Sequence, residues 1–338
     1  MAMLTRNENK EILSKSDKII ITTHHKPDGD ALGSSLGLYH WLKNQNHDVH
    51  VIVSSDFPTF LDWLPGRDEV LIYPDQTVLC QSLIDEASLI FCLDYNALSR
   101  TNVMEGVLRA STAKKYMIDH HLDPEGFDDY RLWDPQAAAT AQLIYTFIEG
   151  CVDEVSEITP EIATCLYAGI MTDTGSFRFR STTEQVHEII SKLIRSGARN
   201  WEIHEHIYNS STENRLKFLG HCLLNRLEVI HEYNTALFAV SKQDLEQFQV
   251  TTGDTEGLVN YALSVKGIRL AALIIDRTEL IKLSLRSIGD VPCNEIARKH
   301  FNGGGHFNAA GGSSEGDLQS VVHKFKSILP EYNEILIK

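Results

Sequence analysis

A β-branched run, "KIIIT" at residues 18–22, gives way to the polar stretch "HHKPDGDALGS" (24–34), after which "ALGSSLGLYHWLKN" places apolar residues at helical spacing. Pro, Gly and Asp punctuate the change of period, so the pattern predicts strand, tight loop and helix. Apolar runs of the same kind recur as "HDVHVIVSS", "LIFCLD" and "KKYMID", with helical segments between them. Such alternation predicts parallel strands joined by crossover helices, hence an α/β fold with a doubly wound, mainly parallel sheet.

"PQAAATAQLIYTFIEG" and "TPEIATCLYAGIMTDTG" continue as helices, the second with Pro160 near its first turn, and "TTEQVHEIISKLIRSG" ends at Gly197 as a C-cap. "SFRFRSTT" alternates like a strand with Arg178 and Arg180 facing solvent. A charged helical stretch over 200–226 then leads into a different texture. "TALFAVS" is strand-like, "DTEGLVNYALSVKG" helical, and "IRLAALIIDRTELIKLSLRS" reads as two strands joined across "DRTE" in a hairpin. This divides the chain into a first domain at 1–195, a helical linker at 196–231 and a smaller C-terminal α/β domain at 232–338.

At 338 residues the chain is long enough for two cores, and 43% hydrophobic with 23% charged residues is ordinary globular composition. No apolar run reaches the roughly 18 to 20 residues needed to cross a bilayer, and "MAMLTRNENKEILSKSDK" lacks the apolar core of a signal peptide. A soluble, cytoplasmic protein with no membrane partner is expected. Cys80, Cys92, Cys151, Cys165, Cys222 and Cys293 are scattered through apolar stretches, as reduced core residues are, and form no zinc or disulfide spacing. A net charge of −15 argues against binding long nucleic acid, which requires many cations against phosphates.

The chemistry sits where the apolar runs end. His24, Asp28 and Asp30 follow the first strand, Asp94 ends "LIFCLD", Asp119, His120 and His121 end "KKYMIDHH", and Asp173 ends an apolar helix. Carboxyl ends of parallel strands share one sheet edge, so residues far apart in sequence can converge there. Taken alone, Asp-Gly-Asp before a helix is also the mark of a turn with Asp30 as N-cap, and Asp94 and Asp173 suit a cap and a turn. Asp119 reads as the partner that orients a neighbouring histidine. Together, His24, Asp28, Asp30, Asp94, His120 and Asp173 make an oxygen-rich set with nitrogen and no sulfur. That set suits two divalent ions, Mn²⁺ foremost with Mg²⁺ or Co²⁺ as alternatives, spaced roughly 3.5 to 4 Å apart around a bridging carboxylate.

"HHKPDGDALGS", "IDHH" and "GIMTDTGSF", followed by "GGGHFNAAGG" at 303–312, resemble the DHH phosphoesterase family together with its associated C-terminal domain. The resemblance covers nearly the whole chain and is most similar to the nanoRNase branch. It implies that His24 and Asp28 hold one ion, Asp30, His120 and Asp173 the other, and that Asp94 bridges, with His121 left to contact phosphate or supply a proton. Asp94, His120 and His121 are then the catalytic group. It implies further that Gly303, Gly304, Gly305 and His306 face the metal site across a cleft between the domains. Successive glycines there can expose backbone N–H groups to an anion, and Arg286 at the end of "LIKLSLRS" can grip a phosphate or stack on a base.

The implied activity is metal-dependent hydrolysis of short oligoribonucleotides, or of the 3′-phosphate of adenosine 3′,5′-bisphosphate (pAp), by an activated hydroxide. Linear products of cyclic dinucleotides remain an alternative substrate, and pyrophosphate or polyphosphate a further one. A homodimer is compatible with the family. "YNALSR" after Asp94, and Lys26, depart from the family pattern away from every implied ligand.

Overall fold

The computed structural model describes residues 4–151 and 158–338, and the chain forms two compact units, one up to Ser210 and the other Ser211–Lys338. The first carries strands β1 (Lys18–Thr23), β2 (Asp48–Val53), β3 (Val70–Ile72), β4 (Leu89–Leu93), β5 (Lys114–Asp119) and β6 (Tyr130–Trp133). They pair in the order β3-β2-β1-β4-β5-β6, every pair parallel. Sequential order therefore reverses between β1 and β4, and ligands of open α/β sheets bind in the crevice at such a point.

Its helices are α1 (Arg6–Ser14), α2 (Gly29–Asn44), α3 (Thr77–Asp85), α4 (Glu105–Ala110), α5 (Thr140–Cys151), α6 (Pro160–Asp173), α7 (Glu184–Arg195) and α8 (Asn200–Tyr208). Both faces of the sheet are covered, as a parallel sheet demands. Ile19 and Ile21 of β1 bury against Leu32, Leu36, Ile144 and Leu166, while Ile20 between them joins Cys80, Ile84, Cys92 and Leu108 on the opposite side. The alternation of a single β-branched run thus feeds two cores.

On the first of these faces α2 lies against α6 with almost no side chain between them. A methyl group on Gly33 would stand 2.5 Å from the Cys165 carbonyl oxygen and 2.9 Å from the Gly169 nitrogen. One on Gly29 would meet Thr172 Oγ1 at 2.5 Å, and one on Gly37 would meet Leu166 Cδ2 at 2.6 Å. Glycines at every fourth position make a flat stripe down α2, and that stripe sets how closely the two helices approach.

The second unit holds α9 (Glu213–Asn225), β7 (Leu227–Ile230), β8 (Thr235–Val240), α10 (Lys242–Gln247), α11 (Leu258–Leu263), β9 (Leu270–Asp276), β10 (Ile281–Ser287), α12 (Cys293–His300), β11 (Gly304–His306), β12 (Ala309–Ser314) and α13 (Leu318–Ile328). The strands pair as β11-β12-β10-β9-β8-β7, antiparallel except for β8 with β9. Leu283, Leu285, Ile296 and Phe325 pack on one face, and Phe218, Phe238, Leu258 and Leu273 on the other.

The predicted strands up to Asp119, those of the second unit and the β9–β10 hairpin stand, and all six cysteines are buried. Gly197 follows α7 with φ +109°, the conformation a helix C-terminus favours. Several details differ. β3 and β6 escape the pattern because three or four residues carry too little period to read. α5 starts at Thr140 rather than at Pro135, and the helix over "DTEGLVNYALSVKG" shortens to α11. "SFRFRSTT" is no strand: Gly175, Ser176 and Phe177 have φ +55°, +61° and +63°, a left-handed turn closed by Thr174, whose hydroxyl accepts the Phe177 N–H. Among the described residues no helix is long and apolar enough to cross a membrane.

Replacing Gly33 by Ala should destabilise the protein by about 1–3 kcal/mol through overpacking, although Ala is the better helix former. Urea unfolding of the variant checks this, and an unchanged or raised midpoint would show that the α2–α6 contact yields freely.

Candidate active site

The six proposed ligands arrive from five places in the fold, Asp28 and Asp30 sharing the start of α2. β1 ends at Thr23, and the turn after it is pinned where the His25 N–H reaches the Arg100 carbonyl (2.7 Å) and the Lys26 N–H the Ser55 hydroxyl (2.8 Å). Lys26 has φ +56° here, immediately before Pro27. Asp28 then caps α2, its Oδ1 accepting the N–H groups of Asp30 and Ala31 at 3.1 Å each. The cap is therefore Asp28, not Asp30, because only the residue before the first helical turn faces that helix's free N–H groups. Asp30 is wholly buried inside the first turn and accepts from the start of α5 instead: Thr140 N–H at 2.6 Å and Ala141 N–H at 2.8 Å. Gly169 makes room for this contact, since a methyl group there would come within 3.0 Å of Asp30 Oδ1 and 2.7 Å of the Ala141 methyl.

Asp94 follows β4 with φ +63°, a strained position that aspartate tolerates better than most residues. Its N–H is held by the Ile118 carbonyl (3.1 Å), and the next residue, Tyr95, is anchored through a buried hydroxyl contact with Thr22 at 2.7 Å. His120 follows β5, and Asp173 closes α6.

Five side chains from four places in the sequence meet around Asp94. Its Oδ2 lies 3.4 Å from His24 Nε2, which is itself 3.9 Å from Asp28 Oδ1. Its Oδ1 lies 3.4 Å from His120 Nε2, which is 3.4 Å from Asp173 Oδ2 and 3.8 Å from Asp30 Oδ2. Two trios, His24 with Asp28 and Asp94, and Asp30 with Asp94 and His120, each bring their ligand atoms within 4.8 Å of one another. Asp94 belongs to both.

Residues 18–170 match the DHH family, N-terminal domain, and residues 234–335 match the DHHA1 domain. The bifunctional oligoribonuclease and PAP phosphatase NrnA of Thermus thermophilus is 33% identical over 311 residues, covering 90% of this chain and 87% of that protein. The chain belongs to the DHH family. An exopolyphosphatase-related protein from Bacteroides fragilis, known from its crystal structure, is 40% identical, with a TM-score of 0.93 over 98% of this chain and 97% of that one. RecJ of Thermus thermophilus in complex with Mn²⁺ shares the fold at 12% identity, with a TM-score of 0.53 over 97% of this chain and 54% of that one.

The hydrogen bonds of this DHH protein also fix its imidazoles. His24 Nδ1 meets the His25 carbonyl (2.9 Å), His120 Nδ1 the Ala137 carbonyl (3.1 Å) and His121 Nδ1 the Asp119 carboxylate (2.8 Å). Oxygens of these kinds accept, so Nδ1 carries the proton and Nε2 keeps its lone pair, as a metal-ligating histidine requires. Asp119 thus orients His121. A donor set of carboxylate oxygens and neutral imidazole nitrogens without sulfur fits a hard divalent ion.

Electrostatics point the same way. Burial, with Asp94 and Asp173 beside it, holds the Asp30 carboxyl well above the usual range. Burial alone would lift Asp94 too, but His120 and His24 bonded to it and His121 nearby hold it well below. Burial disfavours the charged form of both His24 and His120, yet Asp94 and the surrounding carboxylates raise their proton affinity, His120 the more strongly. Burial and then Arg100 keep His121 below its ordinary value.

Arg100 is the residue that sequence reasoning passed over: it stands close enough to oppose protonation of both His24 and His121. Only its place in "YNALSR" could have drawn notice. In the second unit, Arg286 of β10 and His306 of β11 both lie in register with Ala309 of β12, which puts them in one cross-strand row on the same face. Gly303–Gly305 do not form an open nest. Gly304 and Gly305 enter β11, paired with Gly311 and Ala310, and a methyl group on Gly303 would fall 2.0 Å from the Gly311 carbonyl oxygen. These glycines serve close backbone approach.

A divalent cation at about 100 times its dissociation constant should stabilise the protein by about 2.7 kcal/mol, read as a rise in melting temperature that a chelator removes. Since a metal takes only neutral imidazole and the metal-free site raises the proton affinity of His24 and His120, binding should release protons and strengthen as pH rises through neutrality. Calorimetric titration in buffers of different ionisation heat measures that release. Heats independent of buffer would contradict it.

Proposed function

We propose that this chain is a phosphohydrolase dependent on two divalent ions, Mn²⁺ foremost, that cleaves short oligoribonucleotides and removes the 3′-phosphate of pAp in the cytoplasm. The single observation that carries the reading is that the two oxygens of Asp94 face two different imidazoles within two ligand trios. His24 and Asp28 would hold one ion, Asp30, His120 and Asp173 the other, with Asp94 shared. When bound, such a pair supplies an activated water near neutral pH and neutralises charge on a phosphoryl group. The relative named as an oligoribonuclease and PAP phosphatase supports the substrate class.

The chain's own residues do the rest. His121, its Nδ1–H committed to Asp119, presents Nε2 to the substrate; once that nitrogen takes up a proton from solvent it can contact the phosphate or pass the proton to the leaving oxygen. Arg100 adds fixed positive charge to a site otherwise crowded with carboxylates. We read the first unit as the catalytic domain and the second as the substrate-binding domain, with Arg286 and His306 as its candidate ligand contacts. The net charge of −15 supports a preference for such ligands over long strands.

Asp28→Ala and His120→Ala should each abolish Mn²⁺-dependent turnover of pAp and of a dinucleotide while the circular dichroism spectrum is retained. Full activity in both variants would overturn the ligand set. Arg100→Met should lower kcat/KM about 10–100-fold, the worth of a charged hydrogen bond, and a wild-type value would exclude it from the site. A panel of pAp, a dinucleotide, a pentanucleotide, a linear dinucleotide product, pyrophosphate and polyphosphate, each with Mn²⁺ and with chelator, tests the substrate class. Fastest release from pyrophosphate or polyphosphate would move the protein to a different activity.

A further inference from the structure

One short segment reaches three of the proposed ligands. Residues 137–141, "AAATA", run from the loop after β6 into the first turn of α5 and are all buried. The Ala137 carbonyl accepts from His120 Nδ1, the N–H groups of Thr140 and Ala141 bind the two oxygens of Asp30, and the Thr140 hydroxyl donates to Asp94 Oδ1 at 2.9 Å. The segment is itself fixed, because the Ala137 N–H bonds the Asp134 carbonyl (3.1 Å) and the Ala138 N–H bonds Gln142 Oε1 (2.8 Å). Asp30 belongs to α2, and Asp94 and His120 follow the paired strands β4 and β5, so the segment joins the α2 ligand to the two at the strand ends.

Of these contacts only the last depends on a side chain within the segment. Rotation of a carboxylate about its Cβ–Cγ bond is broad and poorly fixed by rotamer preference. Asp94 must nonetheless present one oxygen toward His24 and the other toward His120 if it is to serve two ions. The Thr140 hydroxyl, wholly buried, turns away from the free N–H groups of its own helix and bonds that carboxylate instead. We propose that Thr140 is a positioning residue: its hydroxyl sets the rotation of Asp94 and thereby makes the bridge between the two sites. This inference rests on the two-ion reading and names the group that enforces it.

Thr140→Val keeps the shape and the backbone N–H to Asp30 but removes the hydroxyl; Thr140→Ser keeps the hydroxyl and loses a methyl group. Mn²⁺ affinity by calorimetry and the electron paramagnetic resonance of the bound ions read the effect without any substrate. The valine variant should bind Mn²⁺ about 10–100-fold more weakly, the range for loss of an orienting partner. Its spectrum should change from that of exchange-coupled ions to that of isolated ones. The serine variant should restore both. Valine with wild-type affinity and coupling overturns the inference and leaves the two-ion reading intact, as does serine failing as badly as valine. A wild-type protein that binds no Mn²⁺, or binds it only as isolated ions, overturns the two-ion reading first. Melting of the metal-free proteins separates a folding defect from these outcomes, and Thr140→Ala takes the place of valine if that variant does not fold.

Discussion

Asp28, Asp30, Asp94 and Asp173 gather at one sheet edge, where like charges about 4 Å apart repel by about 4 kcal/mol at an effective dielectric constant of about 20. Everything around them answers that repulsion. α5 turns two N–H groups onto Asp30, α2 turns two onto Asp28, and His24 and His120 stand between the carboxylates. These groups lessen the conflict without abolishing it, as the raised proton affinities of Asp30, His24 and His120 attest. A site of this kind favours cations by construction.

The convergence depends on two structural devices. One is the reversal of strand order between β1 and β4, which opens a crevice where His24 and Asp94 emerge side by side. The other is the glycine stripe on α2, which lets α6 approach until Asp173, at its end, reaches the imidazole that also faces Asp30. Gly169 extends the same close packing to the α5 terminus. Backbone contact along these helices therefore sets the spacing of the candidate ligands, since a shift of a fraction of an ångström there would spread them.

The second unit obeys a different logic. Its sheet is mostly antiparallel and ends in a short edge strand made of glycine and histidine, where small residues let β11 lie flat on β12. The row shared by Arg286, Ala309 and His306 places a guanidinium and an imidazole on one face with only a methyl group between them. Such a row suits an anionic or flat aromatic ligand.

Local pattern was enough for the alternating strands and helices, for the doubly wound class and for the ends of elements where Asp94, His120 and Asp173 stand, because strand termini and helix caps are written in a few neighbouring residues. The short strands β3 and β6, the left-handed turn after Asp173 and the pairing of the glycine segment were not legible, since each is stabilised by partners distant in sequence. The same holds for roles within the site. Asp28 and Asp30 look alike in "PDGD", yet one caps its own helix and the other receives another helix's N-terminus. Arg100 and Thr140 carry no local mark at all. Which acids could bind a cation was decided by residue type and position in the chain; which oxygen of Asp30 and of Asp94 faces which neighbour was decided only by tertiary packing, because hydrogen bonds between remote elements, not local preference, set the rotation of those side chains and of His120.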